Sequence, residues 1–526
     1  MTASREPPRN GPTVPFTETP PPSLPIYRAN TIVDGVLRYP PTGIKAVIVG
    51  GGVAGLFAAL ECWRKGIEVV VLEKAPGPSQ YGNSSQTPFL FILPPFLTPN
   101  PGDVMGIGPS GLSTLSSYPS MLQAYDAISH PAHFAFYRDS GASVVPHVEY
   151  EYNQQGVAQH AAFPLYIKSI VRRSQLAGIF AAQCSRLGIP IHYGVSISSY
   201  EEDEHLGLAI AIADDGRKFT GDVVLAADGI GTKSHAVVLG HPTRANSTGF
   251  VMHRAVIPSS LLAHHSIVRK VASGETPAEV RFYIGDARGQ HHAVTILPEV
   301  VCYITCIKDD GTGAESWSNR GTGAETLSQL EDVDKLHPLI TDGFRAVAEE
   351  KAVLKWLMAM RDPQPKWVSR GGRVAQVGDS AHSFLPSSGN GANTAMESAI
   401  TVAECLRLGG RQGVGVAARV YELLRYQRAS VIQKTGFQNR QQIAVQPETG
   451  DIFAQGKWLW AHKPEVYARE NFDQARAHVE HGAPFENTNL PPGHKFQDWT
   501  MAEEMAKEKA GVYVQDLKTN GDWGSV

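Results

Sequence analysis

Three glycines, Gly50, Gly52 and Gly55, stand in the order G-x-G-x-x-G within KAVIVGGGVAGLFAALECWRKGIEVVVLE. An acid, Glu73, follows about twenty residues on. Such a set recognises a ligand without making or breaking bonds. Gly50 permits a tight strand-to-helix turn, Gly52 lets a pyrophosphate approach the backbone, and Gly55 lets the helix pack closely on its sheet. The helix that begins there offers free N–H groups and the positive end of its dipole to phosphate oxygens. Glu73 stands where a carboxylate accepts hydrogen bonds from ribose hydroxyls. The glycines alone are weak evidence; with a strand before them, a helix over Ala54–Lys65, and a second strand over Glu68–Leu72 ending in the acid, they specify a dinucleotide site.

Two further acids follow glycine-rich or apolar strand ends: Asp228 in AADGIG and Asp379 in GDSAHSFLPSSGNGAN. Taken singly, Asp228-Gly229 is an ordinary turn and Asp379 a helix cap. His382 reads as a packed histidine ahead of a catalytic base. No Ser-His-Asp set and no metal-ligand spacing is visible. The five cysteines lack paired spacing or companion histidines, which argues against a disulfide framework or a zinc site, and Cys302 and Cys306 read as buried.

The elements that must position these groups are legible in outline. Ala46–Val49 is an apolar, β-branched run, read as a buried parallel strand. Gly106–Ser110 leads into a helix, and Ile170–Leu187 reads as an amphipathic helix with arginines at its start. Strands are expected at Pro190–Tyr193 and Ser196–Asp203, a hairpin over Leu208–Thr220, and a buried strand at Val223–Ala227. Between Gly249 and Trp367 the pattern becomes alternating, with strands at Phe250–Ile257, Glu279–Ile284, His292–Leu297 and Val301–Ile307, then helices at Glu325–Lys335 and Asp342–Lys351. Arg373–Val377 returns as a last buried strand, before helices over Ala392–Leu408 and Val416–Gln442. This order predicts an α/β fold: a Rossmann-like domain with an inserted, mainly antiparallel substrate domain and a helical tail.

At 526 residues the chain has room for both domains, and 42% hydrophobic residues with a net charge of −4 describe a soluble protein without polybasic bias towards nucleic acid. No apolar run reaches membrane-spanning length and no secretory head is apparent, so a reducing, cytoplasmic setting is expected. Residues 1–43 are proline-rich and read as a disordered leader. Residues 83–102 are apolar yet studded with prolines, which suits neither helix nor central strand; they read as a lid over the substrate site or as the translation of an unremoved intron. The expected divisions are 44–248 and 371–440 for the two parts of the nucleotide domain, 249–370 for the inserted domain, and 441–526 for an extension in which Trp458 and Trp460 serve as packing anchors.

GGGVAG with Glu73, AADGIG, and GDSAHSFLPSSGNGAN, in that order and spacing, resemble the class A FAD-dependent aromatic monooxygenases of the p-hydroxybenzoate and salicylate hydroxylase type. Glu315-Ser316-Trp317, Arg361-Asp362-Pro363 and Tyr421-Glu422 with Arg425 agree with the resemblance, which covers roughly residues 45–430. The leader and fuller tail look most like its fungal secondary-metabolism branch. The resemblance implies FAD as cofactor, NADPH or NADH as co-substrate, and a small phenolic or polyketide-derived aromatic substrate together with O₂. NAD(P)H would reduce the flavin, O₂ would add at C4a, and the hydroperoxide's distal oxygen would be attacked by the electron-rich ring. It assigns Asp379 to the ribityl chain, Gly391 and Ala392 to the flavin's N1–C2=O edge, Pro386 to the wall of the ring, and Asp228 to FAD and the nicotinamide. Gly106 and Arg173 would line the FAD, the guanidinium facing the pyrophosphate; Arg172 is the alternative. Arg254 and Tyr283 match positions that bind and activate phenols, and beside them stand the plainer readings of a surface ion pair and a core aromatic.

The sequence also departs from the family pattern. Thr232 and His235 replace the Ser and Arg of DG-x-x-S-x-x-R, Ser383 replaces a proline, and Ser398 replaces the acid after Glu397. Epoxidation or phenol dearomatisation by the same fold stays open, as does a non-catalytic FAD-binding regulator. A halogenase is a poor match, because Trp458-Leu459-Trp460 lacks the continuation of W-x-W-x-I-P. Monomer and homodimer are both compatible with the sequence.

Overall fold

The computed structural model describes residues 13–15, 29–77, 104–157, 160–163, 166–285, 290–314, 316, 319–445, 456–510 and 516–524. The stretch 83–102, Glu315 and Trp317 lie outside the described residues.

Five short strands form one parallel sheet in the order Ile191–Tyr193, Glu68–Glu73, Lys45–Val49, Val223–Ala226, Val374–Gln376. Apart from the edge strand Ile191–Tyr193, their apolar residues are buried on both faces, as a parallel sheet demands. Ala46 and Ile48 face helices Val53–Arg64, Arg173–Arg186 and Gly391–Gly409, where Phe57 and Phe180 meet with ring centroids 5.0 Å apart. Val47 and Val49 face the antiparallel strands Ile197–Asp203, Leu208–Ala213 and Lys218–Gly221, through Tyr200, Ala211 and Phe219. Thr13–Pro15 adds a parallel edge to that second layer. The register brings Val49, Leu72, Ala226 and Gln376 to one edge, so Gly50, Glu73, Asp228 and Asp379 all emerge at the carboxyl ends of the strands.

An eight-stranded sheet forms the second layer system, in the order Arg320–Gly321, Val353–Met360, Asn246–Pro258, Val300–Lys308, His291–Ile296, Ala278–Ile284, Ala132–Arg138, Ser143–Val148. Neighbours are antiparallel except Ala278–Ile284 against Ala132–Arg138. The last two strands come from the stretch read as nucleotide domain, so this sheet draws on chain well before residue 249. One face packs on helices Ser266–Ala272 and Pro338–Arg345 around Leu339, Ile340 and Phe344. The other face is turned towards the nucleotide domain.

Several boundaries differ from the sequence reading. Ile170–Arg172 is a strand paired with Val104–Gly106, and the helix starts only at Arg173. The expected Glu325–Lys335 helix is the shorter Gly323–Ser328, started by a Thr322/Glu325 capping box, and then a 3-10 turn at Val333–Lys335. Proline at the first position starts the next helix at Pro338, ahead of Asp342. Within the stretch read as leader, Thr31–Val33 and Val36–Arg38 form a hairpin that buries Val36, and the Arg38 Nε donates to the Trp63 carbonyl at 3.1 Å.

The extension is built into the core. Lys65 meets Glu404 at 2.7 Å and Glu465 at 2.8 Å, while Arg64 meets Glu61 at 2.6 Å and also pairs with Glu465. These ions join helix Pro464–His481 to Val53–Arg64 and Gly391–Gly409. Among the described residues no helix is long and apolar enough to cross a membrane. All five cysteines are free and buried.

Candidate active site

One cavity of about 2970 Å³ runs from the carboxyl edge of the parallel sheet to the inner face of the eight-stranded sheet. Its first part is a nucleotide cradle. Gly50 adopts φ +108°, and a Cβ there would come within 2.3 Å of the Ala227 carbonyl oxygen. A Cβ on Gly55 would lie 1.9 Å from the Gly50 carbonyl oxygen. A Cβ on Gly52, by contrast, would meet nothing within 4 Å, so the space that glycine leaves belongs to the cavity. Glu73 closes the loop: its Oε2 accepts from the Gly51 N–H at 2.5 Å and its Oε1 from the Ala75 N–H at 2.8 Å. A carboxylate so held still has lone pairs for ribose hydroxyls.

Arg173 opens helix Arg173–Arg186 on the cavity wall beside Arg172, so a guanidinium and a helix N-terminus face the same space. Gly106 lines it from the paired strand, where a Cβ would come 2.7 Å from the Tyr150 hydroxyl. Asp379 opens to the cavity but is walled by protein. That desolvation pushes its carboxyl up, against the charges of Arg173 and Arg361. Asp228 is also raised by burial; its Oδ2 accepts from the Tyr200 hydroxyl at 2.7 Å, and its buried Oδ1 has no hydrogen-bond partner among the described residues. Pro386 begins a 3-10 turn, and Gly389 at φ +63° then redirects the chain into helix Gly391–Gly409. The backbone at Gly391 and Ala392 therefore presents N–H groups at the wall.

Asn393 fixes that helix end to the facing loop. Its Oδ1 accepts from the Gly111 N–H at 2.9 Å and the Gly108 N–H at 3.2 Å, and its Nδ2 donates to Ser110 Oγ at 2.8 Å. The sequence reading quoted Asn393 only as a motif end; contact across more than 280 residues leaves no local trace. Tyr200, which orients Asp228 from 28 residues away, has no local signature either.

The second part of the cavity is lined by the sheet. Arg320, Leu354, Arg254, Ile304, Ala293 and Phe282 stand opposite one another on successive strands, and all line the cavity. Paired residues share a face, so they form a single row with two guanidinium groups at one end and an aromatic ring at the other. Val256, Thr295 and Val280 line the cavity two residues away along the same strands, and Phe134 lines it opposite Val280 on the next strand. Arg254 is thus on the cavity face of the sheet.

Tyr283 is not. Successive strand residues point to opposite faces, so with Phe282 in the cavity Tyr283 lies in the helical core. It is fully buried there, stacked on Tyr137 at 5.5 Å and His337 at 5.6 Å, and its hydroxyl is pushed up to about 12 by burial. The assignment of Tyr283 to substrate activation is corrected by that alternation.

His382 is buried against Trp367, with Nε2 2.9 Å from Ser398 Oγ, and burial lowers it to about 3. It is neutral and packed. Ser398, which replaces the family's acid, also accepts from Arg425 Nε at 3.3 Å. His235 is buried and lowered to about 4, first by burial and then by Arg361. Trp458 stacks under Arg428, as a packing anchor would, but Leu459 and Trp460 also reach the cavity wall. Away from the cavity, His264 and His265 Nε2 lie 3.0 and 3.1 Å from Asp342 Oδ2, a grouping that no sequence spacing announced.

Residues 45–90 match the FAD dependent oxidoreductase family model. Over 501 residues the chain is 33% identical to the FAD-dependent monooxygenase fsr3 of Gibberella fujikuroi, covering 93% of this chain and 91% of that one. It is 34% identical over 503 residues to the FAD-dependent monooxygenase mdpD of Emericella nidulans, covering 92% and 91%. Among solved structures, CtdE in complex with FAD and a substrate superposes with a TM-score of 0.67 at 26% identity, over 83% of this chain and 99% of that one.

Proposed function

The chain belongs to the FAD-dependent monooxygenases of fungal secondary metabolism, and from that premise we propose that it hydroxylates a phenolic or polyketide-derived aromatic compound with NADPH or NADH as reductant. The observation that carries the reading is the continuity of the cavity: the nucleotide cradle and the row bearing Arg254 open into each other. When bound, FAD would supply the redox chemistry: two electrons drawn from NAD(P)H, and O₂ with one oxygen atom for the substrate and the other leaving as water.

The chain's own residues supply the rest. Arg173 and the N-terminus of its helix neutralise the pyrophosphate, Glu73 holds a ribose, and Asp379 takes the ribityl hydroxyls. The N–H groups at Gly391 and Ala392 favour negative charge on the cofactor's pyrimidine edge. Arg254 lowers the pKa of a phenol bound against it, so the ring is presented as the more nucleophilic phenolate. Val256, Val280, Phe282, Ile304 and Leu354 keep water from the reacting groups. The cradle fits the cofactor, since Gly52 leaves open space where a phosphate would approach and Asp228 Oδ1 is a buried acceptor without a hydrogen-bond donor among the described residues.

The test is turnover of a panel of phenols with NAD(P)H under labelled O₂. Substrate-stimulated NAD(P)H oxidation with one labelled oxygen in the product is the expected result. Bound flavin with no stimulated oxidation across the panel would reject it in favour of a non-catalytic FAD-binding protein; label in an epoxide or a dearomatised ring would assign the alternative oxygenations.

A further inference from the structure

On the helical side of the eight-stranded sheet, away from the cavity, three side chains converge. His264 and His265 lie in the turn between the 3-10 helix Ser259–Leu262 and helix Ser266–Ala272, and Asp342 stands on helix Pro338–Arg345. The His264 Nε2 lies 3.0 Å from Asp342 Oδ2, and the His265 Nε2 lies 3.1 Å from the same oxygen. One ligand atom from each residue lies within 4.8 Å of the other two. A break in the backbone makes this possible: Ala263 is helical and His265 extended, which brings the two rings together at a centroid separation of 4.2 Å. Both supporting elements are anchored in one core, through Leu262, Val268 and Val271 on one side and Leu339, Ile340 and Phe344 on the other. The Arg269 Nη1 donates to the Ala263 and His264 carbonyls at 2.6 and 3.1 Å, which fixes the turn.

We propose that His264, His265 and Asp342 form a binding site for a divalent ion of the zinc class, which clamps the turn to helix Pro338–Arg345. Two imidazoles and a carboxylate are a donor set that zinc takes, whereas Mg²⁺ and Ca²⁺ take oxygen ligands. A tetrahedral zinc with bonds of about 2.0–2.1 Å separates its ligand atoms by about 3.3 Å, so the two measured edges need to open by only a few tenths of an ångström. Asp342 Oδ1 accepts from Arg345 Nη1 at 2.8 Å, an outer contact that leaves Oδ2 turned towards the histidines. His264 is exposed, so an ion can enter from solvent. The helix that would be clamped backs the substrate face: Phe344 meets Tyr303 with ring centroids 5.5 Å apart, and Tyr303 adjoins Ile304 of the cavity row. The same distances also suit two N–H···O hydrogen bonds without an ion, and a metal titration separates the two arrangements.

The test is calorimetric titration of the tag-free, FAD-loaded enzyme with Zn²⁺, with Mg²⁺ as the comparison, and melting temperature with and without Zn²⁺. Wild-type enzyme should bind Zn²⁺ one to one with a Kd of about 10 μM or tighter, and Mg²⁺ far more weakly. Its melting temperature should rise by about 2 °C or more, because the ion binds the folded chain. His264→Ala and Asp342→Asn should each weaken Zn²⁺ binding at least about tenfold and abolish the rise. The asparagine keeps the size and a hydrogen-bond acceptor of Asp342 without its charge, so it spares a site built only of hydrogen bonds. Metal-free melting temperatures show whether each fold is kept, and the exposed His264 carries the test if Asp342→Asn is unstable. Absence of one-to-one Zn²⁺ binding, equal affinity for Mg²⁺, or binding that both variants leave unchanged overturns the site. Zinc bound without a rise in melting temperature overturns the clamp. None of these outcomes bears on the phenol reading, which rests on the other face of the sheet.

Discussion

Phe282 and Tyr283 are neighbours in the chain and stand on opposite faces of one sheet, the phenylalanine in the cavity and the tyrosine in the helical core. Their roles separate accordingly. Tyr283→Phe removes a buried hydroxyl that has no hydrogen-bond partner among the described residues, so stability should change by less than about 1 kcal/mol. Oxygen transfer should fall by less than about threefold, because no reacting group is touched. Phe282→Ala opens the cavity wall and should raise the fraction of NAD(P)H oxidised without product. Steady-state product yield per NAD(P)H in both variants checks the pair; a large loss of oxygen transfer in Tyr283→Phe would return that residue to the site.

Arg254 acts on the substrate's ionisation, so its loss should be visible in a pH profile. In Arg254→Met, product formation should fall by about a hundredfold near neutrality and climb as pH approaches the phenol's own pKa, about 10. Wild-type enzyme should be flat over that range. Flavin content should match wild type. A variant whose rate stays low and level with pH would remove Arg254 from phenol activation.

The parts of this molecule that could be read from the sequence are those whose causes are local. The glycine turn, the buried runs such as Ala46–Val49 and the hairpin over Leu208–Gly221 each carry their pattern within a dozen residues. The nucleotide cradle was legible for that reason. The substrate face was less so. Ala132–Arg138 pairs in parallel with Ala278–Ile284, and nothing within AHFAFYR says that its partner lies so far along the chain. Arg320 sits on a strand of two residues, too short for any period. Tyr283 shows the sharpest limit, since a single residue of register decides which face a side chain joins.

Gly52 and Gly55 should fail in different ways. A Cβ at Gly55 would strike the Gly50 carbonyl inside the protein, so Gly55→Ala should lower the stability of the apoprotein. A Cβ at Gly52 would enter only the cavity, so Gly52→Ala should fold like wild type and bind FAD at least about tenfold more weakly. Apoprotein melting temperature and FAD titration separate the two. Equal loss of stability in both variants would contradict the geometry.

His382 and His292 link stability to pH. Both are fully enclosed, and burial lowers each from 6.5 to about 3. The folded value lies below the unfolded one, so their contribution is complete above about pH 6.5 and is lost as pH falls towards 3. In the middle of that window each should reduce unfolding free energy by about 1.4 kcal/mol per pH unit. Urea unfolding at pH 7, 6 and 5 should show the decline, and a glutamine at either position should make it shallower. An unchanged slope in both variants would mean that neither histidine is held neutral.

The last prediction concerns the extension, which Arg428 fastens to the cofactor domain. Its Nε donates to Glu397 Oε2 at 2.9 Å, its Nη2 to Glu397 Oε1 at 3.1 Å and to the Leu459 carbonyl at 3.0 Å, and its Nη1 to the Trp458 and Asn489 carbonyls at 3.0 and 2.9 Å. Burial would raise Glu397, yet Arg428 and then Arg425 hold its carboxyl far below the usual range. Arg428→Met would leave Glu397 with the Arg425 guanidinium and a long hydrogen bond from Asn393, and strip the donors from the segment that brings Leu459 and Trp460 to the cavity wall. The cost should be about 3–5 kcal/mol, since a buried charge loses a partner. Proteolysis of the extension should quicken, and FAD should dissociate faster. Glu397→Gln combined with Arg428→Met should be less damaging than the sum of the single changes, by about 1 kcal/mol or more, because the second substitution removes the charge that the first leaves exposed. Additive losses in that cycle would show that the two side chains are only neighbours, and that the extension is held by its other contacts.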